Sequence, residues 1–552
     1  MSGKPVALLA ALAVLGSGAG AAQAQNAPAA ALTGTVSSAR EGPMEGVVVS
    51  AHRTGSTLTF SVPTDSKGHF SFPAAKLGPG RYQIAIRAIG YELGGPNSAQ
   101  VVRGRPAKVS LRLTPTRNLA GQMSNAEWFA SFPGSDQARK GLLDCVSCHD
   151  LNLIVNSAHG AGEFNDIFKR MAGYYPGSTP THFQRLVGTA VRNLGDAAEL
   201  KKAADYLASI NLSDGKTAWP YPLKTLPRLT GRSGHVIITE YALPRPQAQP
   251  HDAIVDKDGI VWFNDFEEMI LGRLDPKTGQ VREFPIPVLK PGYPVGALDL
   301  ESDSAGNLWI GLMYQAGVAR FDKKTETFTT WTVPKDWQTD AAQTGMVEPR
   351  SADVDGKVWV KNSDGGQVMR LDPKAGGWEN LGALSEKGQK LAPYAVKADS
   401  RNNLYLLDFR SAMIGKVDAK TKAFSVSQGE IGFSRPRRGS VDAQDRLWYG
   451  EYAGNAVGMF DPATGKTREW VMPTPWAEPY DVALDKNGEA WTGSMMSDRI
   501  SRLDPKTGAV VEYQLPKTTN IRRVFIDNST PRPTFWIGSN HGASILKVEP
   551  LD

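Results

Sequence analysis

Hydrophobic residues along this chain fall into three successive patterns. Between residues 31 and 117 they come as short alternating or β-branched runs: Val47-Val48-Val49, Phe70-Ser71-Phe72, Tyr82-Gln83-Ile84-Ala85-Ile86 and Val109-Ser110-Leu111-Arg112-Leu113. Turn residues such as Asp65-Ser66-Lys67-Gly68 separate them, and period-two alternation closed by turns predicts strands with one buried face. Between residues 120 and 212 the spacing becomes helical. Leu200, Ala203, Ala204, Leu207 and Ile210 fall on one face, and residues 123–132 and 163–171 are spaced alike. Pro220, Pro222 and Pro227 then mark residues 213–234 as an extended, semi-rigid linker.

From residue 235 to 552 the strand pattern returns and repeats. One unit reads strand, Asp-Gly turn, Val261-Trp262-Phe263, then Gly272-Arg273-Leu274-Asp275-Pro276-Lys277-Thr278-Gly279, then Val281-Arg282-Glu283-Phe284. The phrase recurs around Trp309, Trp359, Tyr405, Trp448, Trp491 and Trp536, giving seven anchors roughly 43 to 50 residues apart. That period predicts a propeller of four-stranded blades. The seventh unit ends at Val548 without the outer strand the others carry, and an unmatched strand stands at residues 238–244. This strand is expected to complete the seventh blade and close the ring.

At 552 residues several domains are required. Charged residues make up 21% and apolar ones 41%, as in ordinary globular proteins. The net charge of +6 is mild and its basic residues form no stripe, which speaks against nucleic-acid binding. Lys4, the apolar run 6–15 and Ala22-Gln23-Ala24 predict a cleaved signal peptide over residues 1–24. The mature chain is then expected in the periplasm or outside the cell, with no transmembrane span.

Only two cysteines occur, in Cys145-Val146-Ser147-Cys148-His149. An exported protein ordinarily pairs its cysteines as disulfides, but a following histidine makes this the attachment signature of a c-type haem. Cys145 and Cys148 would form thioethers and His149 would bind the iron from one side. Met171 is the only methionine between this motif and Met269, which makes it the distal candidate, with His159 and His182 as alternatives. A methionine ligand would raise the potential relative to a second histidine.

Three resemblances accompany these patterns. The order Gly34-Thr35-Val36, Gly46-Val47-Val48-Val49, Thr64-Asp65 and Gly80-Arg81-Tyr82 resembles the carboxypeptidase regulatory-like domain, a transthyretin-like β-sandwich. The helical segment, with its motif near the front, resembles a small class I cytochrome c domain. The repeated phrase resembles virginiamycin B lyase (streptogramin lyase), whose magnesium-dependent elimination opens a cyclic peptide. That resemblance implies His251, in Gln249-Pro250-His251, as a base and Asp265 as a magnesium ligand. The sequence departs from the family pattern in two places: Gln249 stands where a carboxylate is expected, and Arg522 where a second histidine is expected.

Counting along the blades places Arg350, Tyr394, Arg437, Tyr480 and Arg522 with His251 around one channel mouth, with Asp265, Asp408 and Glu451 as acidic neighbours. Such a ring suits a small anionic ligand or a carboxylate-rich partner. The expected architecture is therefore multidomain and mainly β: a β-sandwich, a small α-helical haem domain and a seven-bladed propeller. The expected function is that of an exported monohaem cytochrome exchanging electrons with a periplasmic dehydrogenase or respiratory component. A propeller lyase with an accessory cytochrome, or a cell-surface scaffold that binds a glycan or protein, are the alternatives.

Overall fold

Alternation in the first segment is resolved as two packed sheets. The computed structural model describes residues 1, 3, 29–211, 219–363, 367–386 and 388–552, so nearly all of the expected signal peptide, and the beginning of the linker, lie outside the described residues. In one sheet Ala30–Ser38 runs parallel to Ala107–Pro115 and antiparallel to His69–Pro73. In the other, Val48–Arg53 lies between Leu58–Pro63 and Gly80–Arg87. Phe70, Phe72, Tyr82, Ile84, Leu111 and Leu113 point inward from alternate positions and fill the space between the sheets.

Six four-stranded antiparallel sheets follow, beginning with Pro250–Val255, Val261–Asp265, Ile270–Asp275 and Gln280–Pro285. The repeated aromatic has a mechanical reason. In four blades an aspartate six positions earlier accepts the indole N–H: Asp256 from Trp262 (2.9 Å), Asp303 from Trp309 (3.0 Å), Asp442 from Trp448 (2.8 Å) and Asp485 from Trp491 (3.0 Å). The same aspartate accepts backbone N–H groups of the hairpin turn, so one side chain ties turn and blade core together.

The seventh blade joins Phe525–Asp527, Thr534–Ser539 and Ser544–Pro550 to Val236–Ala242, which supplies the missing outer strand. One pairing lay beyond the sequence pattern. The other edge of Val236–Ala242 pairs with Leu58–Pro63 of the sandwich, Ile238 opposite Ser61 and Tyr241 opposite Leu58. A single eight-stranded sheet therefore runs from the propeller into the sandwich, and the exposed edge a final blade strand would present is covered. Lys76–Glu549 (2.6 Å) and Arg87–Asp498 (2.6 Å) flank this seam.

Between sandwich and linker lie five short helices: α1 (Asn125–Ser131), α2 (Asp136–Lys140), α3 (Leu151–Val155), α4 (Ala161–Ala172) and α5 (Ala197–Ser209). Capping boxes start α1 at Ser124 with Glu127 and α5 at Asp196 with Glu199. The helices share their apolar core with the propeller: Trp128, Phe129, Leu143, Val146, Ile154 and Leu207 belong to one cluster with Tyr452, Tyr480, Met495 and Met496. Among the described residues no helix is long and apolar enough to cross a membrane.

Because the sandwich is sheet-paired to the closing strand, amide exchange at residues 58–61 and 238–241 is expected to be as slow as inside the blades. Deleting residues 29–117 should speed exchange at 238–241 by ~100-fold or more. Unchanged exchange there would show that the seam carries no stability.

Candidate functional site

The cysteine motif occupies a short 3-10 turn, Cys145–Ser147, between α2 and α3. The propeller holds this turn by its carbonyls. Asn520 Nδ2 donates to Val146 O (3.0 Å), Arg522 Nη2 to Ser147 O (2.6 Å), and His541 Nε2 lies 3.3 Å from Ser147 O. Tyr452 Oη donates to Leu143 O (2.7 Å), and Arg435 pairs with Asp144 (2.9 Å). Burial and the neighbouring Arg522 push His541 down to about 3, so it is neutral and acts as a donor to the turn.

Cys145 and Cys148 are both half-buried. Burial, with Asp144 adding repulsion, pushes Cys145 up to about 12. A thioredoxin-like pair needs a depressed thiol, so this environment is the wrong one for thiol–disulfide chemistry. His149 is lowered by burial and therefore neutral. Its Nδ1 lies 3.2 Å from Asp150 O, which fixes the Nδ1-protonated ring and leaves Nε2 as an acceptor.

Beside this turn lies a cavity of about 650 Å³ whose walls include Cys148, His149, Ile154, Phe164, Met171 and Phe183. Met171, at the end of α4, thus faces the same space as His149. His159 also lines it, its Nδ1 3.7 Å from Glu163. His182 does not: its Nδ1 lies 3.0 Å from Glu267 Oε2 on the first blade. The donor set and the apolar walls fit a porphyrin held through sulfur, imidazole and thioether. The Tyr174 ring lies tilted against Phe183 on the cavity wall, whereas Tyr175 is buried against the propeller, donating to Phe266 O (2.6 Å).

On the propeller, strand pairing sets Pro250, Thr344, Pro393, Pro436 and Pro479 at one level. The next residues, His251, Gly345, Tyr394, Arg437 and Tyr480, ring the mouth under the helical segment, and Arg522 joins them from the seventh blade. Arg350 does not join them. The third blade replaces the tight turn with a 3-10 turn and short helix (Pro349–Ser351, Ala352–Asp355), which puts a count back from Trp359 out of register. Arg350 lies at the opposite mouth, beside Glu301, Glu348 and Lys397.

His251 is fully buried. Its Nδ1 meets Asp252 Oδ1 at 2.5 Å, its Nε2 has no partner, and burial pushes it down to about 3. A base that weak is poorly matched to proton abstraction near neutrality. Asp265 is held by Arg245 (2.7 Å) and by the Glu267 amide (3.0 Å). These residues do not fit a magnesium ion. Among the described residues no group of three or more His, Cys, Asp or Glu side chains is placed to hold a metal.

Two features were missed by counting motifs. One level below the mouth, buried Arg438 binds Asp252 (2.9 and 3.0 Å) and Asp299 (2.6 Å), and Arg523 reaches Asp252, Asp299 and Glu301. These charges fill the channel. The second feature is a cavity of about 640 Å³ between the mouth and the helical segment, to which Arg192 and Arg435 contribute with Arg437 and Arg522. The run Arg435-Pro436-Arg437-Arg438 was the available signal.

Residues 387–550 match the virginiamycin B lyase family and residues 31–114 the carboxypeptidase regulatory-like domain. Neither match takes in residues 115–386. No curated protein matches the chain. Similar solved structures include virginiamycin B lyase from Staphylococcus aureus, at 20% identity and TM-score 0.49, covering 57% of this chain and 99% of that one. A streptogramin B lyase structure is 22% identical with TM-score 0.48, covering 58% of this chain and 99% of its own. The blade pairing and the two family matches together give the protein a β-propeller behind a β-sandwich. In particular, the propeller is virginiamycin B lyase-like and the sandwich is carboxypeptidase regulatory-like.

Asp408 serves structure, accepting from the Arg410 amide and the Ser411 hydroxyl. Glu451 is different: burial, with the Glu469 carboxyl beside it, pushes it up to about 9 from an ordinary 4.5. The folded protein keeps this proton where the unfolded chain has lost it, so stability falls as pH rises through that window. Glu451→Gln is expected to raise Tm at pH 8 and flatten its decline between pH 5 and 9. Thermal scans across that range check this, and a lowered Tm with an unchanged slope would contradict it.

Proposed function

We propose that this protein is an exported monohaem c-type cytochrome whose electron-transfer segment is seated on the mouth of a propeller. The observation that carries the reading is the convergence of Cys148, His149 and Met171 on one largely apolar cavity, with the His149 ring already oriented by Asp150 O. Cys145 and Cys148 would hold haem c covalently, and His149 Nε2 and Met171 would bind its iron. Bound there, haem supplies reversible one-electron transfer.

The chain's own residues set the conditions for that chemistry. The carbonyl contacts from Asn520, Arg522 and His541 fix the attachment turn, so the imidazole needs little reorganisation between oxidation states. Ile154, Phe164 and Phe183 limit water in the cavity. Arg170 and Arg192, also on its walls, offer positive charge to the two carboxylates of haem. A periplasmic dehydrogenase or respiratory component is the partner class this chemistry requires. The propeller serves as the platform that positions the segment.

Expressed with cytochrome-maturation machinery, the full chain should retain haem-dependent peroxidase stain on a denaturing gel, and the Cys145→Ala, Cys148→Ala double variant should lose it. Wild-type protein without stain would end this reading. Met171→Ala should lower the reduction potential by roughly 100 mV or more, within the span that axial ligands control. Unchanged potential and spectrum would exclude Met171 as ligand.

A further inference from the structure

Among the described residues, buried Arg437 makes no ion pair. It is 7% exposed, its Nε has no hydrogen-bond partner, and its one polar contact is Nη1 to Met495 Sδ at 3.8 Å. The rings of Tyr394, Phe409, Tyr452 and Tyr480 surround it, with centroids 3.9 to 4.9 Å from the guanidinium carbon. Cation–π contact offsets part of the desolvation cost but gives the N–H donors no acceptor.

Arg522 stands beside it, 2% exposed, and bonds only to neutral groups, Asn520 Oδ1 and Ser147 O, with its guanidinium 4.8 Å from the Phe266 centroid. Both arginines line the cavity of about 640 Å³ between the propeller mouth and the helical segment, and Arg192 and Arg410 enter it as well. Its acidic lining residues are already engaged: Asp144 with Arg435 of the same cavity, and Glu199 in the cap of α5. Leu298, Met313, Phe266 and Phe409 give the same cavity apolar walls.

We propose that this cavity binds a small organic carboxylate, its acid group meeting Arg437 and Arg522 and its carbon skeleton lying against Phe266, Phe409 and Met313. A buried guanidinium with unmet donors calls for an acceptor of opposite charge, and the planar fork of arginine matches a carboxylate. The apolar walls select an organic anion over an inorganic one, and the volume is that of a small-molecule site. The two cavities share Arg192 on their walls, but Arg437 and Arg522 line only this one, so the proposal does not rest on the cytochrome reading.

The test uses the full chain, with or without haem, and needs neither turnover nor colour. Succinate, citrate, benzoate and inorganic phosphate are each titrated by calorimetry and by thermal shift. At least one carboxylate is expected to bind with Kd below about 1 mM and to raise Tm, with phosphate at least ten-fold weaker. Arg437→Met should raise Tm without ligand, since it removes an unpaired buried charge, and should weaken carboxylate binding by ten-fold or more. Arg522→Gln, which keeps polar contacts to Asn520 and Ser147 possible, should weaken the same ligand if the methionine variant does not fold. Failure of all three carboxylates to bind wild type, equal binding by the folded variants, or phosphate binding as tightly as the best carboxylate would each overturn the proposal.

Discussion

Val146 and Ser147 give their carbonyl oxygens to Asn520 and Arg522 of the seventh blade, and the rest of the molecule is arranged around that contact. Short helices such as α2 and α3, five residues each, are marginal on their own. Ile154 of α3, with Leu143 and Val146 from the stretch before it, joins one apolar cluster with Tyr452, Tyr480 and Met495, which anchors the segment. The cysteine turn is thereby set by a rigid β-structure rather than by its own small helices. That helps to explain how so short a segment keeps a cavity of about 650 Å³ beside His149.

The same docking changes what the propeller mouth can do. An open mouth with a histidine and a carboxylate would admit a bulky cyclic substrate. Here the helical segment covers it, His251 is buried against Asp252, and Asp265 is engaged by Arg245. Below, Arg438 and Arg523 fill the channel with aspartates from different blades, an arrangement in which losing one partner strands a buried charge. Of the residues expected at the mouth, Arg437 and Arg522 line the cavity between the propeller and the helical segment.

Repetition made most of the fold legible. The Trp-to-Asp spacing, the Asp275–Gly279 type of turn and the unmatched strand near Ile238 encode blade packing and ring closure in local residues. The Cys145–His149 motif was equally local. The sandwich-to-propeller seam was not, because Leu58–Pro63 reads as any edge-capable strand and nothing in it names Val236–Ala242 as partner. Arg350 was misplaced because the third blade substitutes a helical turn for a tight hairpin, and period counting fails wherever a unit changes length. Apart from the run Arg435–Arg438, Arg192 and the channel network were not legible for a related reason: residues far apart in sequence acquire a common role only once the ring is closed.

Peptide mass spectrometry of the mature protein, made in a host that matures c-type cytochromes, tests the central claim most directly. The account predicts that the tryptic peptide spanning residues 141–169 carries the mass of one haem through both Cys145 and Cys148. Recovery of that peptide with two free thiols, or with an internal disulfide, would contradict it.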